Sequence, residues 1–374
     1  MTISSCSCSC INAAVFIQIL SFLLLPCVSP TSFLFGDSLI DAGNNDYIFT
    51  LSKADSPPYG IDFSPSGGLP TGRFTNGRTV SDIIGQSLGS QSLPPPFLAP
   101  NSQNQVIHAG INYASGSAGI LPETGQLFIG RIPLPDQVGY FEQTRANIVR
   151  LTGGKAAQDA IKNAIFTIAI GSNDILNYVQ PFVPLAGKQF IEPEVFQDLI
   201  LSNLTVQLKR LQKLGASRFI VIGIGPLGCI PYIRATKLLW LGKCSKEVNG
   251  FIQDYNRKLK RELELLNNEL GQDAVFVYAN AYNIFMDLIT NYHQYGFVNA
   301  EDPCCGGYFP PFVCFQIKDT NSSSSLCQDR SKYVFWDAFH PTEAANLIIA
   351  KKLLDGDQTV TSPINIRQLY HSFS

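Results

Sequence analysis

The sequence predicts an α/β domain organised on a mainly parallel β-sheet, and three features predict it. Five short apolar, β-prone runs, near 32–35, 106–113, 165–170, 218–223 and 274–278, have the length and hydrophobicity of strands buried on both faces. Stretches of helical period lie between them, the alternation that brings parallel strands together. Polar, glycine-containing motifs follow several of the runs directly, and an open parallel sheet binds its ligands at the carboxyl ends of its strands.

Ahead of the first strand, the opening ten residues hold four serines and three cysteines, and positions 11–25 are apolar except for Asn12, Gln18 and Ser21. This is the hydrophobic region of a secretory signal peptide over 1–29, too short for a comfortable membrane span, with cleavage expected near 27–29. No basic residue precedes Lys53, so a retained signal anchor is the competing reading. The remainder, 30–374, reads as one domain, because it contains no linker, internal repeat or long like-charge run.

The first strand runs into Phe35-Gly36-Asp37-Ser38-Leu39-Ile40-Asp41-Ala42-Gly43-Asn44-Asn45. An apolar run that stops at Gly-Asp-Ser delivers one hydroxyl to an open sheet edge. Glycine permits the turn, and a helix starting there would aim its first amides at the serine. Ser38 is thus a candidate nucleophile, and a simple N-cap is its bland alternative. The Gly/Pro-rich stretch 56–78 and the run 92–100 lack periodicity and read as ordered surface loops around the mouth of the sheet.

After the second run comes Asn112-Tyr113-Ala114-Ser115-Gly116-Ser117-Ala118-Gly119, where small residues allow close backbone approach and Gly116 can offer an N–H to an anion. After the third, Gly171-Ser172-Asn173-Asp174 places a side-chain amide, Asn173, near the same edge, although a turn role is also open to it. Two core helices follow. Over 194–214, Phe196, Ile200, Leu204, Leu208 and Leu211 keep helical spacing and Gly215 closes the run; over 245–270, Val248, Phe251, Ile252, Tyr255, Leu259, Leu263 and Leu266 do the same before Gly271.

Near the end, Trp336-Asp337-Ala338-Phe339-His340-Pro341 precedes a helical pattern over 344–354. At that spacing in a turn, Asp337 can accept the Nδ1 proton of His340 and leave Nε2 outward as a base. A weak serine nucleophile needs such a base, and the tetrahedral intermediate of acyl transfer needs donors, each worth on the order of 3 kcal/mol.

Composition bounds the function. The chain has 374 residues, 45% hydrophobic and 15% charged, with net charge −2, a balance that argues against nucleic acid as the main partner. Of ten cysteines, Cys6, Cys8, Cys10 and Cys27 fall in the segment to be removed. The remaining Cys229, Cys244, Cys304, Cys305, Cys314 and Cys327 suit three disulfides in an oxidising compartment. Cys229 is expected to pair with Cys244 across one loop and the other four among themselves, but not Cys304 with its neighbour Cys305, where bridge geometry is strained. Sequons at Asn203 and Asn321 fit the same address as glycosylation sites.

Taken in order, Phe35–Ser38, Pro70-Thr71-Gly72-Arg73-Phe74-Thr75-Asn76-Gly77-Arg78, 112–119, 171–174, Gly225-Pro226-Leu227-Gly228-Cys229-Ile230-Pro231, Cys304-Cys305-Gly306 and 336–341 resemble the plant-type GDSL esterase/lipase family of the SGNH hydrolase superfamily. The resemblance covers nearly the whole chain after the signal segment. It implies a flavodoxin-like three-layer α/β/α sandwich with a central, mainly parallel five-stranded sheet. It implies Ser38 as nucleophile, His340 as general base and acid, and Asp337 as the orienting carboxylate. The implied oxyanion hole comprises the Ser38 and Gly116 N–H groups and the Asn173 side chain. Ser117 stands where many relatives carry another glycine, and the segment before the first strand is unusually short.

The expected activity is therefore hydrolysis of carboxylic esters through an acyl-enzyme, with a small-molecule or lipid ester as substrate. No cofactor, metal, transmembrane anchor or obligate protein partner is implied. A metal hydrolase is disfavoured because no His-x-His, His-Glu-x-x-His or carboxylate cluster supplies convergent ligands. Acyl transfer to an alcohol would use the same residues and is separated by product analysis. A non-catalytic secreted or wall-associated binding protein on this fold would have no need of all five of Ser38, Gly116, Asn173, Asp337 and His340.

Overall fold

The computed structural model describes residues 31–104, 106–179, 191–239, 243–308, 314 and 326–371. The expected signal segment 1–29 and the sequon at Asn321 lie outside the described residues. The main sheet runs in the order β2 (Gly110–Asn112), β1 (Ser32–Gly36), β3 (Ile165–Ala169), β4 (Arg218–Ile222), β5 (Val275–Ala279) and β8 (Thr361–Ser362). The first five strands are parallel, and β8 joins β5 antiparallel. The order 2-1-3-4-5 is the flavodoxin-like one, and chain direction across the sheet reverses between β1 and β3.

Two differences from expectation have local causes. The sheet has a sixth strand, because two residues with no hydrophobic run still pair with Tyr278 and Ala279. The second strand is confined to Gly110–Asn112, not 106–113. Gly110 has φ +86°, and a Cβ there would stand 1.8 Å from the Ser32 carbonyl oxygen, so the chain turns over 106–109 and enters the sheet only at this glycine.

Helices cover both faces. One layer holds α2 (Leu134–Thr152), α3 (Gly154–Asn163), α5 (Pro193–Lys213) and α7 (Lys246–Leu270); the other holds α1 (Val80–Ser87), α8 (Ala281–Thr290), α9 (Glu343–Asp355) and α10 (Ile366–His371). The short α4 (Ser172–Val179) and α6 (Pro231–Thr236) follow β3 and β4. The core helices stand where the sequence stripes put them. Ser245 caps α7 by accepting from the Val248 N–H, and Thr342 caps α9 by accepting from that of Ala345.

The two faces of the sheet differ in what they carry. Toward α2, Phe33 and Phe166 stand 5.0 and 5.2 Å from Phe141, and the ring series continues through Phe219 to Phe276 at 5.7 and 4.4 Å. Burying each such side chain is worth roughly 1.5–3 kcal/mol. Toward α9 the strands present Leu34 and Ala169, which form a separate small cluster with Ile40 and Ala114.

A second, parallel ribbon, β6 (Asn299–Pro303) and β7 (Tyr333–Phe335), lies outside the main sheet. The Cys304 and Cys305 N–H groups extend it by donating to the Phe335 and Trp336 carbonyls at 3.0 and 2.7 Å. Disulfides join Cys304 to Cys327 and Cys305 to Cys314 beside it, and Cys229 to Cys244 near the start of α7, in the expected grouping. The 56–78 loop is tied down by a buried ion pair, Arg73 Nε to Asp82 Oδ2 at 2.8 Å.

Candidate active site

Ser38 follows β1 directly. Gly36 is needed there, because a Cβ would lie 2.5 Å from the Ala169 carbonyl oxygen, and this close approach lets the Asp37 N–H bond that oxygen at 3.1 Å. Gln137, fully buried, clamps the strand end by accepting from the Gly36 N–H and donating to its carbonyl, both at 2.8 Å. Ser38 does not open a helix. It stands in a turn in which the Ile40 and Asp41 N–H groups both donate to the Asp37 carbonyl.

His340 reaches the same place from the far end of the chain. The turn after β7 closes through the Trp336 N–H on the His340 carbonyl at 2.7 Å. Asp337 is buried and accepts at Oδ1 from the Phe339 and His340 N–H groups at 2.9 and 2.8 Å. His340 Nδ1 lies 2.8 Å from each carboxylate oxygen, and Nε2 lies 2.7 Å from Ser38 Oγ. An acceptor-only carboxylate on Nδ1 fixes the tautomer, so Nε2 is the free base facing the serine hydroxyl. The ring rests 5.2 Å from that of Phe74.

A participant not foreseen in the sequence completes this chain of bonds. The hydroxyl of buried Tyr59 donates to Asp337 Oδ2 at 2.9 Å. Burial and the neighbouring Asp337 charge push the phenol well above its ordinary value, so it stays a donor. Asp37, also at the site, is pushed up to about 7 by burial; its Oδ1 accepts from the Leu39 N–H while Oδ2 has no partner among the described residues.

On the opposite side, one expected donor is engaged elsewhere. The Gly116 N–H does not face Ser38: it donates to Asp41 Oδ2 at 3.0 Å, while Asp41 Oδ1 takes the Gly43 and Asn44 N–H groups. Gly116 is small for a packing reason, since a Cβ would stand 2.6 Å from the Phe74 ring and 2.7 Å from Asn45 Nδ2. Ser117 instead lines the cleft with Ser38 and has φ +64°, a left-handed conformation uncommon outside glycine. Among the described residues, neither the Ser38 nor the Ser117 N–H has a hydrogen-bond partner. The signal for Ser117 was its place at a glycine-rich turn.

Asn173 lines the same cleft from the first turn of α4, after a β3–α4 turn at Gly171 with φ +118°. Its side chain donates from Nδ2 to the Ala118 carbonyl at 2.9 Å, which orients the amide and leaves its second N–H for another acceptor. Ser38, Ser117 and Asn173 thus follow β1, β2 and β3, at the reversal point where open α/β sheets bind ligands. The cleft has room for about 140 Å³, with Leu51, Phe74, Phe128, Leu176, Leu227 and Phe339 among its walls. Asn203 sits within α5, not in a loop, its amide donated to the Leu199 carbonyl at 2.8 Å. Among the described residues no cluster of three or more His, Cys, Asp or Glu is placed to hold a metal, and no helix is long and apolar enough to cross a membrane.

The sequence profile of the GDSL-like lipase/acylhydrolase family matches residues 33–353. Three proteins of Arabidopsis thaliana, each named GDSL esterase/lipase, are similar over most of their length. One is 59% identical over 342 residues, covering 91% of this chain and 93% of that protein. A second is 48% identical over 346 residues, covering 90% of each chain. A third is 47% identical over 342 residues, covering 90% of this chain and 87% of its own. A match running from β1 into α9, together with relatives this close, establishes that the chain belongs to the GDSL-like lipase/acylhydrolase family.

Proposed function

We propose that the protein hydrolyses carboxylic esters with Ser38 as nucleophile, His340 as general base and acid, and Asp337 as the group that orients His340. The observation carrying this reading is the unbroken relay Tyr59–Asp337–His340–Ser38, with bonds of 2.7–2.9 Å, ending in an apolar cleft beside unpaired amide donors. His340 Nε2 takes the Ser38 proton as Oγ attacks the ester carbon. The resulting oxyanion is received by the Ser38 and Ser117 N–H groups and the free N–H of Asn173, each worth about 3 kcal/mol in the transition state. His340 then gives its proton to the departing alcohol, leaving an acyl-Ser38. Water, deprotonated by the same Nε2, resolves that intermediate and returns the proton to Ser38.

No step calls for a cofactor. Three disulfides support secretion, with residues 1–29 as the removed leader and 30–374 as the working domain. The test is Ser38→Ala together with labelling by an organophosphorus ester. The variant should fold and lose several orders of magnitude in turnover, and the label should map to Ser38 alone. Retention of more than a few per cent of activity, or a label elsewhere, refutes the mechanism.

A further inference from the structure

The segments 47–52 and 124–130 contain no charged residue. They lie side by side: the Leu51 N–H and the Thr50 hydroxyl both donate to the Phe128 carbonyl at 3.0 Å, and a Cβ on Gly130 would stand 2.2 Å from the Phe49 carbonyl oxygen. Along the first segment Tyr47, Phe49 and Leu51 are exposed while Thr50 is buried, and along the second Leu127 and Ile129 are exposed on either side of Phe128. These five side chains are 46–81% exposed, and Phe49 is the most exposed large apolar side chain among the described residues. Single exposed apolar residues are ordinary on a protein surface. Five on two bonded loops make a patch, and such patches mark interaction sites. Ile129 is a second, independent sign. Its φ of +72° is a left-handed backbone that a β-branched residue adopts only at a cost, and the side chain held there is half exposed, so core packing does not explain it.

Three properties of the patch decide what covers it. Leu51 and Phe128, from these same loops, also wall the cleft that holds Ser38, so whatever seats on the patch stands at the entrance to that cleft. A folded partner there would obstruct entry, whereas a phase that contains the substrate would not. The five side chains present on the order of 500 Å² together, short of the roughly 800 Å² that each partner gives to a stable protein interface. The charged residues within three positions of the two segments are Asp46, Lys53, Asp55, Glu123 and Arg131, in which three anions offset two cations, so nothing draws the patch to an anionic surface. Resting on the esterase reading above, we propose that this patch docks the protein onto an uncharged lipid surface. The tips at Phe49 and Leu127 enter the apolar layer, and the cleft then opens onto that layer, from which a neutral ester reaches Ser38.

Flotation with triacylglycerol droplets coated in phosphatidylcholine tests this on the full chain, beside hydrolysis of dissolved p-nitrophenyl acetate, thermal melts and gel filtration. The variants are Phe49→Asp and Leu127→Asp, neither of which walls the cleft. The wild type should float with the droplets to the same extent at low salt and in about 0.5 M NaCl. Each variant should lower the partition coefficient by at least about tenfold, with Tm unchanged and acetate turnover within about twofold of wild type. A wild type that stays in solution, variants that float as well as it does, or flotation that needs phosphatidylserine and fails in salt each overturn the proposal. So does a wild-type dimer that both variants split, because a second copy would then cover the patch. Flotation is read without turnover, so a wild type that floats but hydrolyses no ester overturns the esterase reading and leaves the docking surface standing.

Discussion

Tyr59→Phe isolates one bond of the relay. The substitution removes a single oxygen, 2.9 Å from Asp337 Oδ2, and keeps the ring that packs edge-on against Phe74 and Trp336. A hydrogen bond to an ionised group is worth about 1.5–3 kcal/mol, so melting should register a loss of that order. The sign of the kinetic effect follows from charge. With one donor gone, the carboxylate is less neutralised and holds the adjacent imidazolium more firmly, so the base stays protonated to higher pH. The acid limb of the kcat/KM profile should therefore move upward, with the alkaline plateau lowered less than about tenfold. Stopped assays across pH 4–10 on a soluble ester, beside thermal melts, read both quantities. A variant that melts early yet traces the wild-type pH profile would show that Tyr59 only packs, and its action through Asp337 would have to be given up.

Asn173→Ala should lower kcat by roughly 10²- to 10³-fold with little change in KM, because an oxyanion donor acts on charge that exists only in the transition state. Loss of its bond to the Ala118 carbonyl should cost only about 1 kcal/mol of stability; early melting with normal turnover per folded molecule would remove Asn173 from the oxyanion site. Burial raises Asp37 from 3.8 to about 7, so between those values the folded protein binds more protons than the unfolded chain. This contribution to stability is complete below pH about 3.8 and is lost as pH rises through about 7. Tm should accordingly fall between pH 5 and 8, and Asp37→Asn should flatten that fall; an identical slope in the variant would refute the assignment.

Most of the scaffold was legible because β1, β3, β4 and β5 are five-residue, largely apolar runs buried on both faces, while α5 and α7 carry unbroken stripes. The polar pair Thr361–Ser362 was not, since its place in the sheet comes from pairing and not from hydrophobicity. Asp337 and His340 were readable because the geometry of one turn joins them, three residues apart. Tyr59 meets Asp337 across a sequence separation of 278, through a loop without period, and no local pattern announces such a contact. That the Gly116 N–H is taken by Asp41 has a related cause: which acceptor an amide meets depends on the dihedrals of its turn, which the residue types alone do not announce.

The two partners of the Ser38–His340 bond belong to different supports. Ser38 leaves β1, the second strand from one edge of the sheet, gripped by Gln137 and by the Asp37 bond to β3. His340 hangs from the outer ribbon, whose β7 is only three residues long and whose neighbours are held by the Cys304–Cys327 and Cys305–Cys314 bridges. The Ser38–His340 bond therefore crosses a seam between the main sheet and a disulfide-stapled outer ribbon. Misplacement of about 1 Å across such a seam can cost two orders of magnitude in rate, far less than it takes to disrupt either side. If the proposed mechanism holds, turnover, rather than any optical signal of unfolding, is the finer gauge of how well the two ends of the chain stay joined.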